Sequence, residues 1–269
     1  MQVHSPVRLL NPATKDFYRT CLRLLTRAQI PFLVGGAYAL GRYTGIQRHT
    51  KDLDVFVRPQ DLTQVLNVMS AAGYRTERTF PHWLSKVFGD DAFVDIIYSS
   101  GNGIAKVDDE WFRHAREDKF LGVSVRLCPP EEMIWSKAFI MERERYDGAD
   151  IAHLIHACGQ GLDWKRLSER FELNGHVLLS HLILFQFIYP AMSALIPEWV
   201  MNHLLEYVRQ EQSGELAKTH LCRGTHLSRE QYLVDIQQWG YQDARLPPYG
   251  SLTPEDVEKW TAGIDWDKV

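Results

Sequence analysis

Three aspartates and a pair of glycines carry the chemistry that this sequence offers. Asp52 and Asp54 flank Leu53 at the head of the apolar run Val55-Phe56-Val57. On a strand, side chains alternate between faces, so the two carboxylates share one face and Leu53 takes the other. Two such acids repel. A hard divalent cation is their natural counter-ion, and Mg²⁺ binds through few carboxylates while completing its shell with phosphate oxygens and water. Asp95 stands alone inside Phe93-Val94-Asp95-Ile96-Ile97. Burying an unpaired carboxylate is costly, so this acid needs a metal, a basic partner or a shifted pKa. If its strand lies beside the Asp52/Asp54 strand, three carboxylates converge in the manner of a two-metal phosphoryl-transfer centre. Gly35 and Gly36 fall between an apolar run and a helical stretch. Glycines there let helix N-terminal N–H groups approach a phosphate, although a glycine pair by itself also suits any tight strand-to-helix turn.

The elements that must position these residues follow from periodicity. Pro12 to Gln29 reads as an amphipathic helix with Phe17, Cys21, Leu24, Leu25 and Ala28 on its apolar side, ended by Pro31. Phe32 to Val34, the glycines, and Ala37 to Tyr43 read as strand, turn and helix. Leu53 to Val57 is a second strand and Pro59 to Ala72 a helix closed by Gly73. Further strands are expected at Trp83 to Phe88, Phe93 to Tyr98 and Val123 to Leu127. After Pro129-Pro130 the pattern turns helical: Glu131 to Glu144, Ala149 to Cys158, Trp164 to Phe171, His176 to Tyr189 and Glu198 to Gln210, with no convincing strand beyond Asp150. Thr253-Pro254-Glu255-Asp256 has the residue types of a capped helix start. The expected fold is α+β (α/β), a mixed β-sheet with flanking helices in residues 1–150, followed by a helical domain in residues 151–269.

The pattern Gly35-Gly36, then Arg48-x-Thr50-x-Asp52-Leu53-Asp54-Val55, then Asp95 between apolar residues resembles the DNA polymerase β-like nucleotidyltransferase superfamily. Within it the arrangement is most similar to the bacterial minimal and abortive-infection, toxin-type nucleotidyltransferases. The resemblance implies an NTP, such as ATP, as co-substrate and two Mg²⁺ ions held by Asp52, Asp54 and Asp95. It also implies transfer of a nucleoside monophosphate to a hydroxyl, with Gly35, Gly36, Arg48 and Thr50 around the triphosphate. The interval from Gly36 to Asp52 is longer than the family commonly shows, which makes Tyr43 to Lys51 an unusual loop that could touch substrate. A second match covers Pro130 to Leu154, PEEMIWSKAFIMERERYDGADIAHL. By it Lys137 would neutralise triphosphate charge, assisted by Arg143 or Arg145, while Asp147 and Asp150 match later acidic positions. On its residues alone, Lys137 could equally form a structural ion pair with Glu132 or Glu144. The acceptor stays open between an RNA, such as a tRNA end, and a small molecule, such as an antibiotic hydroxyl. A non-catalytic nucleotide- or RNA-binding relative is the remaining class, and a cognate antitoxin or a second copy of the chain is an open question of partnership.

Composition limits these readings. With 30 Lys plus Arg against 34 Asp plus Glu among 269 residues, the formal charge is -4, which argues against coating a polyanion through bulk charge. Residues 1–150 carry a net +1 and residues 151–269 a net -5. Cys21, Cys128, Cys158 and Cys222 lie far apart and the N-terminus has no secretory pattern, so a reduced, cytoplasmic setting is expected. Val177 to Ile196 is the most apolar stretch, but His181, Gln186 and Pro190 interrupt it. It reads as a buried core helix, with no membrane role. Lys15, Arg19, Arg23 and Arg27 recur every fourth residue as a basic ridge, most simply a solvated face. His153 with His156, and His220 and Cys222 with His226, read as structural, and Trp83, Trp111, Trp135 and Trp164 as core. Tyr43 could stack on a base. Neither a P-loop nor a Gly-x-Gly-x-x-Gly pattern occurs.

Overall fold

The structure is a computed structural model that describes residues 10–48, 50, 52–214 and 218–262. It divides into two compact units. The first takes the described residues up to Gly101 together with Ala105–Pro129, and the second takes Asn102–Ile104 and the residues from Pro130 onward.

The first unit contains α1 (Pro12–Arg27), β1 (Leu33–Val34), α2 (Gly36–Thr44), β2 (Asp52–Phe56), α3 (Leu62–Ala71), β3 (Arg75–Phe80), β4 (Leu84–Phe88), β5 (Phe93–Ile97), α4 (Asp109–Arg113), β6 (Arg116–Phe120) and β7 (Val123–Leu127). The Asn11 side chain caps α1 by accepting the Thr14 N–H at 2.7 Å, and Phe17, Tyr18, Cys21, Leu22 and Leu25 form its buried stripe. The helix expected from Pro59 begins as a single 3-10 turn, Pro59–Asp61, before α3 takes over.

The seven strands form one mixed sheet in the order β3-β4-β5-β2-β1-β7-β6. At its centre β2 runs parallel to β5, with Asp54 opposite Asp95, and antiparallel to the short β1. On the face opposite the acids, Leu53, Val55, Val87, Val94 and Ile96 are 0–3% exposed. Burying each is worth about 1.5–3 kcal/mol, and that core is what holds β2 and β5 in register. Both edge strands, β3 (RTERTF) and β6 (REDKF), are charged and mostly solvated. Neither was legible as a strand, because an edge with little core contact has no apolar alternation to show.

The second unit contains α5 (Pro130–Lys137), α6 (Gly148–Cys158), α7 (Trp164–Arg170), α8 (Gly175–Ile188), α9 (Glu198–Ser213), β8 (Leu221–Cys222), α10 (Leu233–Gln237), β9 (Gln242–Asp243) and α11 (Pro254–Thr261). The division between units falls at Pro129-Pro130 and not at residue 150, because α5 packs on α6 and α7. Three expectations need correction. The helix expected to run to Glu144 stops at Lys137, after which Met141 pairs with Tyr146 and the Glu142 N–H bonds the Arg145 carbonyl, making a tight reversal. Strands do occur beyond Asp150, as the two-residue parallel pair β8–β9. The apolar stretch beginning at Val177 is a core helix on one side only. Leu178, Leu179, His181, Leu182 and Phe185 are buried, whereas Ile183, Leu184, Phe187 and Ile188 are exposed, and Pro190 opens a 3-10 segment. Among the described residues no single helix is long and apolar enough to cross a membrane, although α7 and the segment Glu172–Ile188, bent by 72°, pass that test as a pair. The expected cap at Thr253 is present as a full capping box with Asp256.

Candidate active site

The acids sit on one sheet face because of parity and register. Asp52, Asp54 and Phe56 point the same way along β2, and parallel pairing sets Phe93, Asp95 and Ile97 beside them in turn. Away from the acids, this face closes over into packed aromatics, where Phe56 stacks on Trp111 with ring centroids 5.3 Å apart. Toward Asp52 it opens. Thr50 donates its hydroxyl to the Asp52 carboxylate and sits 3.2 Å from the Asp52 carbonyl, which fixes how that acid points.

The glycine turn is built against this row. Gly35 caps α2, and its N–H donates to the Asp54 carbonyl at 3.0 Å. A Cβ on Gly35 would come within 2.3 Å of the Phe56 ring, and one on Gly36 within 1.6 Å of Asp54 Oδ2. Gly36 also has φ +54, in the left-handed region that suits glycine. The backbone at the start of α2 is therefore in contact with a carboxylate of the acid row, where side-chain-bearing residues could not pass.

Electrostatics tie the three acids together. The buried Tyr18 phenol of α1 is pushed up first by burial and then by the charges of Asp52, Asp54 and Asp95. Burial also pushes the Asp95 carboxyl above the usual carboxylate range. The hydrogen bond and charge of Lys86 pull it back down, and the Asp52 charge adds a smaller upward push. Lys86, on β4, lies opposite Asp95 in the antiparallel β4–β5 pairing, with Nζ 2.7 Å from Asp95 Oδ1. Among the described residues no three His, Cys, Asp or Glu side chains are grouped so that they could hold a metal ion together. The donor set nonetheless fits Mg²⁺, which needs only one or two carboxylates and draws its other oxygens from phosphate and water. Burial is what raises the Asp95 carboxyl, and a bound cation would favour its charged form.

Sequence reasoning missed Lys86 and Tyr18. The signal for Lys86 was present, since it is a lone charge in an apolar strand just as Asp95 is. Folding Leu84–Phe88 back on Phe93–Ile97 across Gly89-Asp90-Asp91 sets the two opposite each other.

The other predicted residues are placed as follows. Arg48 is exposed in the loop after α2, and His49 and Lys51 of that loop lie outside the described residues. The Tyr43 hydroxyl donates to the Cys128 carbonyl at 2.9 Å. Lys137 and Arg143 belong to the second unit. There Lys137 Nζ lies 2.7 Å from Asp147 and 2.8 Å from Asp150, partners different from the Glu132 or Glu144 considered above. Burial pushes Asp147 up, but the Arg145 hydrogen bond and the charges of Lys137 and Arg145 outweigh it and leave the carboxyl below its ordinary value. Glu132 instead pairs with Arg166 and Arg170. Arg143 is exposed. In the basic ridge, Arg19 is engaged with Asp16 and the Leu121 carbonyl.

A mixed sheet with paired acids on one strand, a third acid on its parallel neighbour and a glycine turn abutting them is the layout of a nucleotidyltransferase. The chain matches the family model described as "uncharacterised nucleotidyltransferase" over residues 15–185, and it belongs to that family. The match begins in α1 and runs into α8, wider at both ends than the resemblance read from the motifs. No curated protein sequence matches the chain. Similar solved structures include an antigenic nucleotidyltransferase-like protein from Paracoccidioides brasiliensis, at 16% identity and TM-score 0.47, covering 68% of this chain and 91% of that one. The antibiotic-resistance factor ANT(2'')-Ia, in solution, is 15% identical with TM-score 0.42, covering 69% and 97%. The lincomycin-bound lincosamide antibiotic adenylyltransferase LnuA is 16% identical with TM-score 0.37, covering 52% and 94%.

Proposed function

We propose that the protein transfers a nucleoside monophosphate from an NTP to a hydroxyl acceptor in a Mg²⁺-dependent reaction centred on Asp52, Asp54 and Asp95. The observation that carries this reading is the register of β2 on β5, which sets Asp54 beside Asp95 on the face where Gly36 abuts the Asp54 carboxylate. Asp52, Asp54 and Asp95 would hold the metal, with Thr50 keeping Asp52 in its orientation. Mg²⁺, when bound, supplies the positive charge that the triphosphate and the departing pyrophosphate require. The Gly36 backbone N–H at the start of α2, in a turn that the Gly35 N–H ties to the Asp54 carbonyl, and the Arg48 guanidinium would steady the triphosphate. Asp95, whose carboxyl burial makes more basic, would accept the proton of the acceptor hydroxyl. The acceptor oxygen forms its bond to the α-phosphorus as the bond to the bridging oxygen breaks, and pyrophosphate leaves. Most of the rate enhancement would come from positioning and charge, with general-base help worth about 10²–10⁴-fold. Lys137, paired with Asp147 and Asp150, and the exposed Arg143 belong to the second unit and would serve the triphosphate only by turning to it.

The test is direct. Purified protein is incubated with Mg²⁺ and each labelled NTP in turn, with total RNA in one set and hydroxyl-bearing small molecules, antibiotics among them, in another. Label should enter one acceptor class in the wild type and neither class in Asp54→Ala, whose folding is checked by circular dichroism. Full transfer by Asp54→Ala would remove the assignment of these acids. NTP binding without turnover in either set would instead favour a non-catalytic binding protein.

A further inference from the structure

Lys86, the base paired with the acid row on β4, has no task in the proposed reaction. Its ammonium lies 2.7 Å from Asp95 Oδ1, with the lysine side chain 20% and the aspartate side chain 13% exposed. It is also seated over the Phe93 ring, 3.8 Å from the centroid. Two contacts on β5 thus hold one positive charge against the third acid, one of the three carboxylates that would hold the metal. An ion taken up by Asp95 would meet the Lys86 ammonium as a like charge across one carboxylate, a repulsion that is relieved when the ammonium moves away. Lysine is suited to being displaced, because its charge rides on a flexible four-carbon stem with three rotatable donors. Once moved, it remains on the same sheet face and needs a new anion.

From this geometry we infer that Lys86 is a placeholder cation, which stays paired with Asp95 until the metal–nucleotide complex binds and then turns to the triphosphate. The inference rests on the carboxylates being a metal site. It adds that metal alone binds against a resident charge, whereas metal and nucleotide bind together with positive coupling because the nucleotide gives Lys86 somewhere to go.

The experiment titrates Mn²⁺ into the full chain by calorimetry or electron paramagnetic resonance, with and without a non-hydrolysable NTP analogue, for wild type, Lys86→Met, Lys86→Arg and Asp54→Asn. Lys86→Met should bind Mn²⁺ alone about tenfold more tightly than the wild type and should lose most of the enhancement that the nucleotide gives, a coupling commonly of 5–150-fold. Lys86→Arg, which keeps the charge, should remain close to the wild type. A purely structural lysine predicts the opposite sign, since losing it would misplace Asp95 and weaken the metal. Unchanged or weaker Mn²⁺ binding by a folded Lys86→Met, with binding abolished in Asp54→Asn, overturns the placeholder role and leaves the metal site standing. Wild-type Mn²⁺ binding by Asp54→Asn would instead overturn the metal site, and the inference with it.

Discussion

Lys137 and Lys86 are each a lysine paired with aspartate, yet their settings assign them different work. Lys137 lies between Asp147 and Asp150, both 5–9% exposed at the side chain, and Arg145 also bonds Asp147. Removing the ammonium takes from both buried carboxylates a shared partner and leaves Asp147 with the largely exposed Arg145 guanidinium. Breaking such a pair from one side costs about 3–5 kcal/mol. Lys137→Met should therefore lower the unfolding free energy measured in urea by that order, with Lys137→Arg losing much less. A Lys137→Met variant of full stability would show that the three charged groups do not depend on one another. The sequence marks the lysine and both aspartates but does not join them, because their meeting depends on the reversal between Met141 and Tyr146. The acid row was legible for the opposite reason. Strand alternation assigns a face to each residue with no knowledge of the tertiary fold.

At the scale of elements, the turn from β1 into α2 has the least tolerance. Gly36→Ala meets two penalties together, a left-handed φ of +54 and a Cβ driven into the Asp54 carboxylate. Gly45, at the other end of α2, has φ +75 with nothing within 4 Å of its Cβ position, so an alanine there meets the conformational penalty alone. Gly45→Ala should cost about 1 kcal/mol and leave nucleotide transfer intact. Gly36→Ala should cost more and abolish both transfer and Mn²⁺ binding. Equal effects from the two substitutions in melting and metal titration would show that contact with Asp54 is unimportant. The helix after Pro130 shows where pattern reading fails. Apolar periodicity continues past Lys137 through Phe139 and Met141, but these side chains are drawn from a reversal rather than from another turn of helix. Local periodicity cannot separate the two when both bury the same residues.

Across the whole molecule, the second unit carries its own sensitivity to acid. Burial depresses His226 to a pKa of about 4, and the Asp243 charge offsets only part of that shift. A folded-state pKa below the unfolded value means that the contribution to stability is complete above about pH 6.5 and is lost as pH falls through 4. Stability should thus drop by about 2–3 kcal/mol over that window on account of this one group. His226→Gln, compared with the wild type by urea unfolding at pH 7 and pH 4.5, should flatten the difference. An identical drop in both proteins would place the acid sensitivity elsewhere. The division into a sheet unit and a helical unit was readable from the change of pattern after Pro129-Pro130. Its boundary was set too late because the matched segment Pro130 to Leu154 was assigned to the motifs it resembles, whereas α5 packs with the helices that follow it.

The β4–β5 hairpin has a consequence for the order in which the chain assembles. Lys86 and Asp95 are nine residues apart and close across a short reversal, whereas Asp54 reaches Asp95 only when β2 docks in parallel from much farther back in the chain. Short loops close at lower entropic cost than long ones, and parallel pairing is slow. Asp95 should thus meet its counter-charge before it meets the like charge of β2, so the nascent sheet never has to bring bare carboxylates together. Pulse-labelled hydrogen exchange during refolding should find the β4–β5 amides protected ahead of those of β2. In Lys86→Met, the late step should slow while hairpin closure does not.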